Sequence, residues 1–149
     1  MLLEVAKEAD IAAAPAACWE LVGDVPRLAG CIPGVGEVRA LEDGRYAATI
    51  SDKLGPFRLQ LPVTIAITEE TPPSRLAAEL TGDDGRGQAR VKGQLEATLQ
   101  PNGSGTNLKL NARLEVLGKL AALGATPMRR RADETFAALM ARLKSELAA

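Results

Sequence analysis

Residues 118–149 read GKLAALGATPMRRRADETFAALMARLKSELAA. In this stretch Met128, Ala132, Phe136, Leu139, Met140, Leu143 and Leu147 recur at three- and four-residue steps, which puts them on one helical face. Thr126 offers a capping hydroxyl, and Pro127 suits a first helical position because no amide donor is needed there. From Pro127 to Leu147 the predicted rod is about 31 Å long at 1.5 Å per residue, enough to cross a whole sheet. Gly118 to Gly124 reads as a short helical lead-in closed by glycine, with a break or kink allowed at Pro127. No other segment promises a helix of this length, so everything upstream must supply the surface that receives its apolar face.

The upstream sequence supplies strands. Leu3, Val5, Ala9 and Ile11 alternate with acidic residues, and Lys7 interrupts that buried face near its rim. Pro15 opens a helical stretch through Trp19, Leu21 and Val22, and Asp24-Val25-Pro26 caps and starts a second short helix. After Gly30–Gly34 the strand pattern resumes around Val38 and Leu41. Glu42-Asp43-Gly44 is a hairpin turn followed by inward Tyr46, Ala48 and Ile50. Leu59, Leu61, Val63, Ile65 and Ile67 form the clearest one-faced strand. Pro62 within it cannot donate to a ladder, which predicts an edge strand or a bulge. Three more inward rows follow: Leu76 to Leu80, Ala89 to Leu99, and Leu108 to Val116. One-faced alternation throughout demands an antiparallel sheet with one wet side. The expected fold is α+β, with a curved seven-stranded antiparallel sheet wrapped around a long C-terminal helix and two short helices between strands 1 and 2. Residues 1–149 are expected to form one domain.

Composition removes several function classes. A net charge of -1 lacks the basic excess that nucleic-acid binding requires. Its distribution is uneven, with +3 on residues 118–149 (six Lys/Arg, three acids) and -4 on the remainder (twelve against sixteen). A basic end on an acidic body suits orientation at an anionic surface. The chain has no histidine, which excludes His-based triads and His metal ligands. Cys18 and Cys31 form no CxxC and read as reduced, buried residues. The N-terminus shows no signal peptide and no apolar run long enough to span a bilayer, so a cytoplasmic protein is expected.

The motifs with chemical potential are few. Gly82-Asp83-Asp84-Gly85-Arg86-Gly87 matches no calcium loop and reads as a flexible hairpin. Gly30–Gly36 contains three glycines but no GxGxxG, so it makes no phosphate cradle. Arg129-Arg130-Arg131 sits at a helix start, where the macrodipole disfavours cations. With Lys119, Leu120 and Leu123 it is a candidate contact for an anionic membrane or an acidic partner, read against an ordinary solvated face.

The inward rows are rich in small residues, namely Ala48, Ala78, Ala89, Gly93, Ala97 and Ala112, while the aromatics are only Trp19, Tyr46, Phe57 and Phe136. Either helix and sheet approach closely around a solid core, or one rod fails to fill the concave wall. A ligand cavity is at least about 300 Å³. Left dry, such a void would cost about 7 kcal/mol, comparable with a whole domain's 5–15 kcal/mol. Any such space therefore collapses or takes up a ligand, lipid or water.

Three segments, Gly30-Cys31-Ile32-Pro33-Gly34, Lys53-Leu54-Gly55-Pro56 and Gly118-Lys119-Leu120-Ala121-Ala122-Leu123-Gly124, in that order resemble the signatures of the CoxG family of carbon monoxide dehydrogenase subunits, within the START/Bet v 1-like (SRPBCC) superfamily. The likeness runs from about residue 3 to residue 145. It implies the helix-grip fold and a tunnel between helix and sheet. It also implies a non-catalytic accessory protein, carrying a hydrophobic small molecule such as a quinone or lipid, that recruits or serves a molybdenum hydroxylase of the carbon monoxide dehydrogenase type at the inner face of the cell membrane. No cofactor other than such a bound quinone or lipid is expected. With the inward rows, the resemblance places the pocket among Trp19, Ile32, Tyr46, Ile50, Val63, Leu80, Val91, Gly93, Leu95, Leu110, Leu114, Phe136 and Met140. The polar tips of Tyr46 and Trp19 would serve as handles, and residues 120–131 as the gate. Two alternatives stay open: a cyclase or hydrolase whose acid–base work falls on Tyr46, Lys7, Lys53 or a carboxylate, and a docking module with a solid core.

Overall fold

The structure, a computed structural model, describes residues 1–147; Ala148 and Ala149, the end of the C-terminal stretch, lie outside the described residues. Its seven strands are β1 (Leu2–Ile11), β2 (Val35–Ala40), β3 (Arg45–Leu54), β4 (Phe57–Thr71), β5 (Arg75–Asp83), β6 (Arg90–Asn102) and β7 (Gly105–Leu117). They form one curled antiparallel sheet in the order β1-β7-β6-β5-β4-β3-β2. β2 to β7 are a plain meander, and β1 closes the far flank by pairing with β7 along its full length. Helices α1 (Pro15–Val22) and α2 (Val25–Ala29) bridge the two edge strands, and α3 (Ala125–Leu147) crosses the concave face.

Local chemistry accounts for most boundaries. Pro15 opens α1, and the Asp24 carboxylate caps α2 by accepting from the Arg27 N–H at 3.3 Å. The loop before α1 is tied to the sheet by buried Thr106, whose hydroxyl donates to the Ala13 carbonyl at 2.6 Å. β2 stops at Ala40, so Leu41 falls in the Asp43-Gly44 hairpin turn instead of a strand.

Two expectations are corrected. Pro62 lies in β4, which is a central strand and not an edge. β4 pairs with β3 from Phe57 to Ala66 but with β5 only from Val63 onward. The Ile67 N–H donates to Gly44 on the β3 side, so odd-numbered amides of β4 face β3 and the Pro62 nitrogen faces the side where β5 pairing has ended. No ladder bond is lost there. The strand does carry a bulge, the other branch of the expectation, but further on, between Ile67 and Glu69 opposite β5.

Helix α3 also begins two residues before Pro127. A 3-10 turn at Lys119–Leu123 ends at Gly124, whose φ of +82° swings the chain into the helix. Thr126 therefore sits inside the first turn and is not the cap. Pro127 is tolerated because the first four helical amides have no intrahelical partner.

Candidate ligand cavity

The register of the sheet sets up rows of inward side chains across it. One row runs Ile67, Ala78, Leu95, Ala112, Val5, and the next runs Leu76, Ala97, Leu110, Lys7. Large and small residues alternate, so the wall has hollows at the three alanines. The face of α3 above them presents Ala132, Thr135, Phe136, Leu139 and Leu143. Helix α2 and its flanks close one side with Val25, Leu28, Ala29 and Ile32. The result is a cavity of about 380 Å³ with an almost wholly apolar wall. Buried clusters adjoin it on both sides. One holds Ile11, Leu21, Leu99, Leu108 and Leu143, and the other holds Leu59, Leu61, Val63, Leu80, Leu120 and Met128.

Among the described residues, Asp52 and Lys7 project from the concave face of the sheet, and each ties a different wing to α3. From β3, Asp52 accepts a bidentate pair from Arg131 at 2.8 and 3.0 Å, and Arg131 also reaches Glu134 at 2.9 Å. Burial pushes the Asp52 carboxyl up, but the hydrogen bonds from Arg131 and from the Lys53 N–H outweigh it and hold the group below the usual carboxylate range. From β1, Lys7 pairs with Asp133 while its stem lines the cavity.

The structure brings five of the thirteen expected pocket residues to the cavity wall: Ile32, Leu95, Leu110, Leu114 and Phe136. Ile50, Val63, Leu80 and Val91 instead belong to the filled cluster around Leu61. A Cβ on Gly93 would collide with the Leu114 side chain, so β6 and β7 close that point without a hollow. Met140 is buried in the cluster around Leu143. Trp19 packs over Gly23, whose added Cβ would lie 2.7 Å from the indole, and Tyr46 rests on the edge of the same cluster. Neither supplies a polar handle to the cavity. Sequence reasoning missed the α2 residues as wall elements, and placed Lys7 only at the rim and in the enzyme alternative. Lys7 was visible as the one break in an apolar row, whereas nothing local indicates where α2 lands.

The expected contact surface divides. Lys119, Arg129 and Arg130 are exposed. Leu120 is 4 % exposed and belongs to the filled cluster, Leu123 leans on Gly55 at 3.2 Å from its projected Cβ, and Arg131 is held by Asp52. Those three residues act inside the fold.

The recognised motifs are structural joints. Gly34, with φ +84°, passes so close to β3 that a Cβ would stand 2.5 Å from the Ser51 carbonyl. The Ser51 N–H donates to the Gly34 carbonyl at 2.8 Å. The Gly55 turn meets the 3-10 turn through Leu123, and Leu120 N–H donates to Gln88 at 2.7 Å.

Elsewhere the surface offers little chemistry. Asp83 and Asp84 spend carboxylate oxygens on the Gly85 and Arg86 amides of their own loop, and no His/Cys/Asp/Glu cluster among the described residues could hold a metal. Both cysteines are free and buried, and burial pushes the Cys31 thiol up, away from nucleophilic use. A wider depression of about 560 Å³ along β1, β7 and β6 is walled by Glu4, Gln94, Glu96, Arg113 and Arg129 and is half polar. Among the described residues, no helix is long and apolar enough to cross a membrane.

Known structures share this architecture. A conserved protein from Geobacillus kaustophilus superposes with a TM-score of 0.87 at 20 % identity, covering 97 % of this chain and 95 % of its own. The Mll3558 protein from Rhizobium loti gives 0.71 at 15 % identity, with 98 % and 97 % covered. The Bet v 1-like protein Ara h 8.0201 gives 0.70 at 12 % identity, with 99 % of each chain covered. At these identities the likeness establishes the helix-grip fold and nothing finer. A comparison with curated proteins returns no match. The family model for the CoxG subunits of carbon monoxide dehydrogenase matches residues 8–148. With its helix-grip fold and nearly the whole sequence matched, the chain belongs to the CoxG family.

Proposed function

We propose that this protein is a non-catalytic carrier. It holds an apolar small molecule of quinone or lipid type between α3 and the sheet, and serves a molybdenum hydroxylase of the carbon monoxide dehydrogenase type at the membrane. The observation that carries the reading is the cavity. Its 380 Å³ exceeds the lower size of ligand sites, about 300 Å³. The cavity is half open, so left empty its apolar wall would stand against water, at a cost that grows with the area exposed. An apolar occupant removes that cost.

Native mass spectrometry with solvent extraction of freshly purified protein tests it. A co-purifying apolar molecule, or stoichiometric uptake of a short-chain quinone, is expected; absence of both overturns the carrier. The membrane role rests on exposed Lys119 of the 3-10 turn and exposed Arg129 and Arg130 near the start of α3. Reversing these three to Glu spares the Asp52–Arg131 tie. Since each cation near an anionic surface is worth about 1 kcal/mol, co-sedimentation with anionic vesicles should fall at least ten-fold. Unchanged sedimentation removes the membrane contact and leaves the cavity untouched.

A further inference from the structure

The cavity wall is apolar except at Lys7, Glu96, Asn111 and Thr135, and of these Lys7 alone carries a positive charge. Lys7 stands in the row Leu76, Ala97, Leu110, Lys7, where the alternation would call for a hydrophobic residue. Its side chain is 34 % exposed and pairs with that of Asp133, 55 % exposed, so the pair lies where cavity meets solvent. Another inward charge, Asp52, is satisfied by a bidentate guanidinium. Lys7 has a single carboxylate for three donors, and that leaves donor capacity directed at the cavity mouth. The Thr135 side chain belongs to the same wall.

We propose that Lys7 is the head-group residue of this cavity. The ligand has an apolar body lying along Ala97, Ala112 and Phe136 and an oxygen acceptor, a ketone-type carbonyl or a carboxylate, to which the Lys7 ammonium donates. Asp133 fixes the ammonium's position and competes for it. This rests on the carrier reading and adds the chemistry of the ligand's polar end. The same pair gives selectivity between acceptors: Asp133 repels a carboxylate and tolerates a neutral carbonyl.

The test is a binding titration with three probes, decyl-benzoquinone, dodecanoate and the headless hydrocarbon dodecane, on wild type, Lys7→Met and Asp133→Asn. A hydrogen bond from a charged donor supports a loss of ten-fold or more. In Lys7→Met, binding of the acceptor-bearing probe falls at least ten-fold while dodecane is unchanged. In Asp133→Asn, affinity for decyl-benzoquinone rises modestly, and affinity for dodecanoate rises more because a repelling charge is gone. The larger wild-type affinity of the two identifies the head-group source. Equal binding of all probes by wild type and Lys7→Met overturns the assignment and leaves the carrier standing. Failure of wild type to bind any probe overturns both. Lys7→Arg, which keeps the charge, should retain head-group binding; if only its fold recovers and binding does not, Lys7 is a structural tie alone.

Discussion

Two regions of one interior, built from the same alternating strands, are filled differently. Around Leu61 the inward rows meet Leu120 of the 3-10 turn and Met128 of α3 in one buried cluster, and none of those three lines the cavity. Around Ala97 the rows meet Ala132 and Thr135 of α3, and a 380 Å³ hollow remains. Pattern is the same in both; the difference lies in the size of what comes down from above. Packing cost should therefore differ between them. Leu61, 2 % exposed, should lose about 2–5 kcal/mol on Leu61→Ala in a urea melt. Leu110→Ala, at the hollow wall, should lose less than about 2 kcal/mol, because part of that side chain already faces unfilled space. Equal losses would mean that the hollow is no hollow.

Enlargement reverses the comparison. Ala48→Leu in the filled cluster overpacks and should cost about 1–3 kcal/mol. Ala97→Leu projects into the cavity, so thermal stability should hold or rise while ligand uptake drops. A stabilised Ala97→Leu that still binds would move the ligand out of this cavity.

The same contrast explains what the sequence could and could not disclose. Strand order, the meander and the α3 face follow from periodicity that burial rewards directly, and they agree with the structure. The general cause of a cavity, scarce bulk on the inward rows, was also legible in Ala78, Ala97 and Ala112. Its position was not. Ala48 and Ala89 are equally small, yet both are buried in the filled cluster. Only the three-dimensional placement of Leu120, Met128 and α2 decides which small residues are covered. Arg131 shows the same limit: three consecutive arginines look alike in sequence, and one of them finds Asp52 across the fold.

That ion pair gives the smallest effect. Asp52 has a folded pKa below its unfolded value, so its contribution is present above the unfolded pKa and disappears as pH falls through the folded one. The guanidinium side is 40 % exposed, so screening limits the pair to about 1 kcal/mol. Arg131→Met should thus be slightly less stable than wild type in urea at pH 7, with the gap narrowing as pH falls below the ordinary aspartate range and also in 1 M salt. A gap that does not narrow with falling pH would assign the loss to the stem of Arg131 packed on the sheet, not to its charge. In that case the filled end is held by contact alone, and of the two inward ties Lys7 is left as the one whose ionic role matters.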